Sequence, residues 1–221
     1  MQSTFNKGKK MAKITIDGKK IEAPAGATIL KAAREHGIVI PTLCSHEALE
    51  QSGACRFCSV EIKQGKRTKV VASCLYQVED GLEVNTKSER VMNVRRTVLQ
   101  LLMARNPEAG VLRELAQEMG IEPEKRFIPD TDKGKCILCR LCVKTCESVV
   151  GVSAIGLSYR GSHKTVGAPF GQDSPTCIGC GACAAACPTG VLTMSRRSVL
   201  RVPPVDKKEQ LTRMAREKGK L

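Results

Sequence analysis

The beginning of the chain alternates apolar and polar residues with the two-residue period of a β-strand. Residues 13–16 show this alternation, the dipeptide Asp17-Gly18 is a signal for a tight turn, and residues 20–22 resume an extended pattern. A hairpin is the simplest structure that places two such segments side by side. The sequence therefore predicts that a β-hairpin opens the fold.

A short helix and three further strands are predicted next. Thr28 is a suitable helix N-cap, the apolar residues after it recur at helical spacing, and Gly37 is a helix stop. Two extended segments then flank the turn dipeptide Gln64-Gly65, and a third extended segment follows. Hairpin, helix and returning strands in this order predict a small α+β domain of the β-grasp type. The three extended segments are residues 57–62, 69–72 and 82–84.

Two helices are expected after the strands. From Ser88, which is an N-cap residue, apolar side chains recur at helical spacing until the Asn-Pro dipeptide at residues 106–107 interrupts the pattern. A second helix is predicted over about residues 108–119, before a glycine. We expect the apolar positions of the first helix to form its buried face. These positions are Val91, Val94, Val98, Leu101 and Leu102.

The high cysteine content indicates a chemical role for the protein. Twelve of the 221 residues are cysteine, and 42% of the residues are apolar. The first fifteen residues are polar and lysine-bearing, without the apolar stretch of a secretory signal, and no run of about 18 uncharged apolar residues occurs. We therefore expect a cytoplasmic protein with no direct membrane insertion. Because cytosolic thiols are kept reduced, the cysteines are interpreted as metal ligands and not as disulfides.

Eight of the cysteines form two copies of one spacing, joined by a glycine-rich stretch. Each copy reads C-x2-C-x2-C-x3-C, and a proline directly follows the second copy. In ferredoxins with two [4Fe–4S] clusters, the fourth cysteine of each copy ligates the cluster of the other copy. The sequence therefore predicts crossed ligation. The ligands expected for cluster A are Cys136, Cys139, Cys142 and Cys187, and those for cluster B are Cys177, Cys180, Cys183 and Cys146.

Zinc is the alternative to these two clusters, because C-x2-C knuckles also build Zn(Cys)4 sites. Small residues lie between the ligands of the second copy, at Gly179, Gly181 and Ala182. They favour the clusters, since backbone amides must approach the cluster sulfides closely. A zinc-based nucleic-acid-binding module would be colourless, so a visible absorption spectrum separates the two hypotheses.

The first four cysteines have a different spacing, C-x10-C-x2-C-x15-C. A [2Fe–2S] cluster takes two cysteines per iron, and a loop that supplies three of them before a distant fourth is the plant-ferredoxin arrangement. Gly53 and Ala54 keep this loop small, and His46 is expected to lie near the cluster without ligating it. Four buried free cysteines are the alternative. The expected [2Fe–2S] ligands are Cys44, Cys55, Cys58 and Cys74.

The formal net charge of +14 is concentrated near the two ends of the sequence. Residues 1–20 carry +5 and residues 196–221 carry +6, which leaves +3 for the residues between them. Three anionic clusters would lower the net charge to roughly +8. The sequence has no Trp, two Tyr and four Phe, so side chains that could stack on nucleic-acid bases are scarce. We expect no nucleic-acid partner and interpret the basic ends as solvated segments that contact an acidic partner subunit.

The cysteine motifs and their flanking residues resemble the N-terminal part of a family of iron–sulfur proteins. The family comprises the large iron–sulfur subunit of respiratory complex I, iron-only hydrogenases, NAD-linked formate dehydrogenases and the small diaphorase subunit of NAD-linked hydrogenases. The resemblance covers roughly residues 12–195. The segments that carry it are residues 41–44, 53–58, 72–74, 135–147 and 177–188.

The sequence departs from this family in two places. The family usually carries a His and three Cys for another [4Fe–4S] cluster between the two domains, whereas no Cys or His lies between Cys74 and Cys136. We expect that cluster to be absent. The second departure is that only 26 residues follow residue 195, so we expect no large catalytic domain of the hydrogenase or formate dehydrogenase kind.

Four segments are predicted along the chain: a [2Fe–2S] domain at residues 12–86, a helical connector without a cluster at 87–134, a two-[4Fe–4S] domain at 135–195 and a basic arm at 196–221. The resemblance implies an electron-relay subunit without a catalytic centre of its own. Such a protein passes electrons between a flavin- and NAD(P)H-linked subunit and a second redox subunit in a hetero-oligomer. The alternative is a freestanding soluble ferredoxin that diffuses between its partners.

Overall fold

A computed structural model of the chain describes residues 11–129, 136–171 and 173–193. The chain divides into two compact units, Met1–Cys139 and Arg140–Leu221. The predicted basic arm and the basic residues before Met11 lie outside the described residues. The elements of the first unit are β1 (Met11–Ile16), β2 (Lys19–Pro24), α1 (Ile29–Glu35), β3 (Ser59–Gln64), β4 (Arg67–Ala72), β5 (Glu83–Asn85), α2 (Glu89–Arg105) and α3 (Gly110–Met119).

The five strands form one mixed sheet in the order β2-β1-β5-β3-β4. β1 and β5 are parallel, and the other neighbouring strands are antiparallel. One face of the sheet is buried because alternate residues point to it, including Ile14 and Ile62, and α1 covers this face with Ile29 and Leu30. Hairpin, helix and returning strands therefore make the predicted α+β domain of β-grasp type.

The predicted turn signals lie where the chain reverses. Asp17 and Gly18 both have positive φ, 49° and 82°, as the two-residue turn between β1 and β2 requires. α1 begins after Thr28, whose side chain accepts a hydrogen bond from the backbone N–H of Lys31. α3 ends at Gly120, which has the left-handed φ of 61°. These elements follow from local sequence.

The buried face of α2 differs from the predicted one. The buried residues are Val91, Arg95, Leu99 and Met103, which are spaced by four residues, and the predicted positions other than Val91 are only partly buried or exposed. Leu101, for example, is 48% exposed. The prediction was wrong because it followed apolar residues alone, whereas α2 presents a charged side chain to β3 within its buried row.

The second unit begins with α4 (Leu141–Lys144), which continues without interruption into a wider helical turn over Thr145–Val150. A second short helix, α5 (Ala182–Ala185), lies after the second set of cysteines has begun. Between them is a two-stranded antiparallel hairpin of β6 (Gly156–Ser158) and β7 (Thr165–Gly167). The glycine-rich stretch therefore contains a hairpin that was not predicted from the sequence, since strands of three residues are too short to show a period.

No helix in the part of the chain that the structure describes is long and apolar enough to cross a membrane.

A pair of hydrogen bonds joins the first turn of the fold to the end of β5. The Asp17 carboxylate accepts from the backbone N–H of Thr86 at 2.7 Å and from its hydroxyl at 2.5 Å. Thr86 is 2% exposed, so both donors are left without their partner if the carboxylate is removed. Sequence-distant segments are thereby held at one end of the sheet.

We expect Asp17→Ala to destabilise the protein by about 1–3 kcal/mol, because it leaves buried donors of Thr86 unpaired. Asp80→Ala is the matched control, since Asp80 accepts one exposed backbone hydrogen bond from Lys13 at 2.8 Å. Its effect should be smaller. Urea denaturation of the full chain, followed by far-ultraviolet circular dichroism, ranks the stabilities of the two variants. Equal midpoints would show that the contact with Thr86 stabilises the protein no more than the exposed hydrogen bond of Asp80 does.

Candidate iron–sulfur sites

The first group of cysteines lies on a long loop between α1 and β3 and on the turn after β4. The loop supplies Cys44, Cys55 and Cys58, and the turn supplies Cys74. Three of these side chains are buried and that of Cys55 is half-buried. The β3-β4 hairpin brings the turn back to the loop, where the Ser73 hydroxyl donates to the carbonyl of Cys58 at 2.8 Å. The two sequence-distant parts of the predicted ligand set are therefore adjacent.

The thiols of Cys44 and Cys55 form a close pair. The backbone N–H of Cys55 donates to Cys44 Sγ at 3.4 Å. The hydrogen bond from the Cys55 thiol lowers the pKa of Cys44 to about 5, against an opposing effect of burial. The same hydrogen bond, together with burial, raises the pKa of Cys55. The thiol of Cys44 therefore ionises more readily than the thiol of Cys55.

Cys58 and Cys74 form a second pair of the same kind. The hydrogen bond from the Cys74 thiol lowers the pKa of Cys58 to about 6, and it raises the pKa of Cys74. The charge on Cys44 opposes this lowering at Cys58, and the charges on Cys44 and Cys55 add to the raised pKa of Cys74, so the two pairs act on each other. Two pairs of sulfurs in one place fit a [2Fe–2S] cluster, which takes two cysteines per iron.

The loop backbone is shaped to approach these sulfurs. The N–H of Phe57 donates to Cys55 Sγ at 3.4 Å, and Arg56 between them has a positive φ of 59°. Gly53 has a φ of +60°, and a Cβ added there would lie 2.4 Å from Leu75 Cδ1. A loop of small residues whose amides face sulfur is suited to an anionic cluster, because such hydrogen bonds stabilise charge on the sulfurs.

His46 lies on the same loop and makes local contacts. Its Nδ1 accepts from the backbone N–H of Ala48 at 3.2 Å, and its carbonyl accepts from the Gln51 side chain at 3.0 Å. Both partners follow His46 within five residues. These contacts organise the loop around Cys44.

In the second unit, the fourth cysteine of one copy lies with three cysteines of the other. Cys146 sits on the helical turn after α4, and the backbone N–H of Ala154 donates to its Sγ at 3.2 Å. Burial raises the pKa of the nearby Cys183, and the charge on Cys146 acts in the same direction. A small cavity is lined by Cys146, Cys177, Cys180, Cys183, Val150, Val152, Ala154, Ile155 and Ile178.

The cavity fits a [4Fe–4S] cluster in its donor set and in its walls. Its four cysteines are the four expected for cluster B, and the rest of its lining is apolar. Glycines with positive φ, Gly179 and Gly181, occupy the turn between Cys177 and Cys183, at 68° and 75°. The C-x2-C-x2-C loop can therefore wind tightly, because left-handed φ values strain other residues.

The cysteines predicted for cluster A fall in both units. Cys136 and Cys139 belong to the first unit, and Cys142 and Cys187 belong to the second. Burial would raise the pKa of Cys187, but hydrogen bonds from Thr189 and from backbone amides outweigh it, so that the pKa is lowered. Thr189 Oγ1 lies 3.5 Å from Cys187 Sγ. The environment of this sulfur favours a thiolate.

Arg95 is a charged residue beside the first group of cysteines that was not predicted from the sequence. Its guanidinium donates from Nη2 to the carbonyl of Ser59 at 2.8 Å, and the residue is only 4% exposed. Burial lowers the pKa of Arg95, while the negative charges of Cys58 and Asp17 raise it. One signal could have found it, because Arg95 lies four residues from the apolar Val91 and therefore on the same helix face.

Two family models match the chain, one for each group of cysteines. A 2Fe-2S iron–sulfur cluster binding domain matches residues 9–89, and a 4Fe-4S dicluster domain matches residues 135–191. The first range contains the paired thiols, and the second contains both C-x2-C-x2-C-x3-C copies. The protein therefore contains one [2Fe–2S] cluster and two [4Fe–4S] clusters.

Several curated relatives match most of the chain. The NADPH-Fe(3+) oxidoreductase subunit alpha of Geobacter sulfurreducens is 36% identical over 204 residues, which are 82% of this chain and 24% of the relative. The NADP-reducing hydrogenase subunit HndD of Solidesulfovibrio fructosivorans is 36% identical over 211 residues, with 82% of this chain and 36% of the relative covered. The chain thus spans between a quarter and about a third of the length of these relatives.

One solved structure resembles most of the chain. It belongs to the crystal structure of NAD+-reducing [NiFe]-hydrogenase in the H2-reduced state, with a TM-score of 0.72 and 28% sequence identity. The match covers 86% of this chain and 90% of the other. The chain belongs to the iron–sulfur proteins that join a 2Fe-2S domain to a 4Fe-4S dicluster domain, and it is a homologue of the iron–sulfur subunits of NAD(P)-linked oxidoreductases and hydrogenases.

Proposed function

We propose that the chain is an electron-relay subunit of a multisubunit redox complex. It accepts and passes on electrons between a flavin-containing, NAD(P)H-linked subunit and a second redox subunit. The observation that carries this proposal is that three cluster ligand sets account for all twelve cysteines. The clusters supply one-electron transfer when bound. The chain itself holds them and sets the charge and hydrogen bonding around their sulfurs.

The proposed ligands of the [2Fe–2S] cluster are the two pairs of thiols on the first domain. Cys44 and Cys55 hold one iron, and Cys58 and Cys74 hold the other. Support comes from the pairing itself, since each low-pKa thiol accepts a hydrogen bond from its partner. Each pair also contains one thiol that ionises readily, which helps to bind a cation, because the thiolate is the metal ligand.

The proposed ligation of the [4Fe–4S] clusters is crossed. The shared cavity of Cys146 with Cys177, Cys180 and Cys183 supports this assignment for cluster B. Cluster A then takes Cys187 together with the first three cysteines of the first copy. The segments are assigned as predicted from the sequence: a [2Fe–2S] domain at 12–86, a connector at 87–134, a two-[4Fe–4S] domain at 135–195 and an arm at 196–221.

The partners follow from the relatives and from charge. The relatives are named as subunits of an NADPH-linked oxidoreductase and of an NADP-reducing hydrogenase, which supports a redox complex as the setting of this chain. A partner with an acidic surface would complement the net charge of +14 that this chain carries. We assign the complex to the cytoplasm, since cysteine ligands stay reduced there.

The purified protein should contain about ten irons per chain, two in the [2Fe–2S] cluster and eight in the two [4Fe–4S] clusters. Iron and acid-labile sulfide analyses measure this number, and a visible absorption spectrum shows that the iron is held in clusters. A colourless protein that contains zinc would refute the cluster assignment. A value near fourteen would indicate a further [4Fe–4S] cluster, for which the sequence between Cys74 and Cys136 has no Cys or His.

Cys146→Ala should remove cluster B, because its side chain belongs to the cavity of the second copy. We expect a loss of about four irons and retention of the [2Fe–2S] signal. Iron analysis measures the first, and electron paramagnetic resonance of the reduced protein measures the second and identifies which [4Fe–4S] signal is lost. The matched variant is Cys187→Ala, which should remove cluster A instead. If Cys146→Ala removes cluster A and spares cluster B, ligation is sequential within each copy.

A stable complex should be recovered when the tagged chain is purified from its native source. We expect flavin in the preparation, and we expect NAD(P)H to bleach the visible cluster bands. The isolated chain, freed of partners, is the control and should be bleached by dithionite but not by NAD(P)H. A monomer that never retains flavin would instead support a diffusible ferredoxin.

A further inference from the structure

The buried side chain of Arg95 is the one charged group in the buried row of α2. Arginine is almost never fully buried unless it is paired, because removing its charge from water costs several kcal/mol. Arg95 is 4% exposed, and within the described residues its side chain donates from Nη2 to the carbonyl of Ser59. Its buried Nε has no hydrogen-bond partner among the described residues. Hydrogen bonding alone therefore compensates little of the cost.

Negative charge nearby supplies part of the remaining compensation. Ser59 directly follows Cys58, so the guanidinium contacts the backbone beside a proposed cluster ligand. The charges of Cys58 and Asp17 both stabilise the charged form of Arg95. Asp17 is exposed and also binds Thr86, whereas Cys58 is buried. Of these two groups, the buried one is therefore the Cys58 sulfur.

We propose that Arg95 raises the reduction potential of the [2Fe–2S] cluster, as a buried cation that stabilises the additional electron. This inference rests on the proposed ligation by Cys44, Cys55, Cys58 and Cys74. The guanidinium does not ligate iron; it acts through its charge, which the hydrogen bond to the Ser59 carbonyl holds in place. Reduction adds one negative charge to the cluster, and a nearby fixed positive charge favours the reduced form.

Because Arg95 lies on α2, the position of this helix determines where the positive charge lies relative to the cluster. α2 is the first helix of the segment assigned to the connector, and it packs on β3. Arg95 lies between Val91 and Leu99 in the buried row of this helix. A shift of α2 relative to β3 would move the cation relative to the cluster. The connector helix is thereby part of the electrostatic environment of the first domain.

Redox titration of the full protein, followed by the [2Fe–2S] signal in electron paramagnetic resonance, tests this inference. Arg95→Gln and Arg95→Met both remove the charge, and the second places no polar side-chain atom in the buried position. We expect each to lower the potential by an amount corresponding to about a tenfold change in the reduction equilibrium, which is about 59 mV for one electron. Arg95→Lys keeps the charge and should retain most of the wild-type potential.

Arg96→Gln is the matched control on the same helix. Arg96 is exposed and donates to the side chain of Asn93 at 2.8 Å, so solvent should screen its charge and the potential should stay unchanged. Unchanged potentials in both neutral Arg95 variants, with the [2Fe–2S] signal intact, would overturn the inference and leave the cluster assignment standing. Absence of a [2Fe–2S] signal from the wild-type protein would instead refute the proposed function.

Two further outcomes distinguish charge from packing. One outcome is that the reduction potential of Arg95→Lys falls as far as that of Arg95→Gln. In that case the hydrogen bond to Ser59 and not the charge sets the potential, and the inference is wrong. If all three variants lose the cluster, Arg95 is a structural residue and the inference is equally wrong. If only the two neutral variants lose it, the charge serves to hold the cluster in place and not to set its potential, which also overturns the inference.

Discussion

The structure depends on the placement of negatively charged sulfur in a protein interior. A buried thiolate is unfavourable unless hydrogen bonds or positive charge compensate it. In the first domain this compensation comes from the backbone N–H of Cys55 at Cys44, from the N–H of Phe57 at Cys55, and from the guanidinium of Arg95. In this loop, two backbone amides donate to sulfur instead of to a carbonyl.

The β-grasp sheet provides the rigid frame for this loop. Cys58 directly precedes β3 and Cys74 follows β4 by two residues, so the hairpin fixes the separation of one thiol pair. The other pair depends on the loop alone, where Gly53 allows the backbone to turn against Leu75. In the second unit, the helical turn that carries Cys146 and the glycine-containing turn of the second copy make the corresponding frame.

Much of the fold and of the sites could be predicted from the sequence, because their signals are local. The Asp17-Gly18 turn, the Thr28 cap and the spacing within each C-x2-C motif reflect geometry within a few residues. The helical spacing from Val91 could place Arg95 on the buried face of α2, but its contact could not be predicted locally, since its partner Ser59 is 36 residues away. The β6-β7 hairpin escaped prediction because its three-residue strands are stabilised by their pairing and not by an apolar period.

The position of Cys146 in the cavity of the second cysteine copy has a consequence for biosynthesis. The ribosome releases Cys146 well before Cys183, and the β6-β7 hairpin lies between them. The cavity cannot exist until the later cysteines have emerged, so a nascent chain that stops at the hairpin exposes reactive thiols without a complete receptor for iron. Insertion of this cluster must therefore follow translation of both copies, and chains truncated at the hairpin should be open to proteolysis.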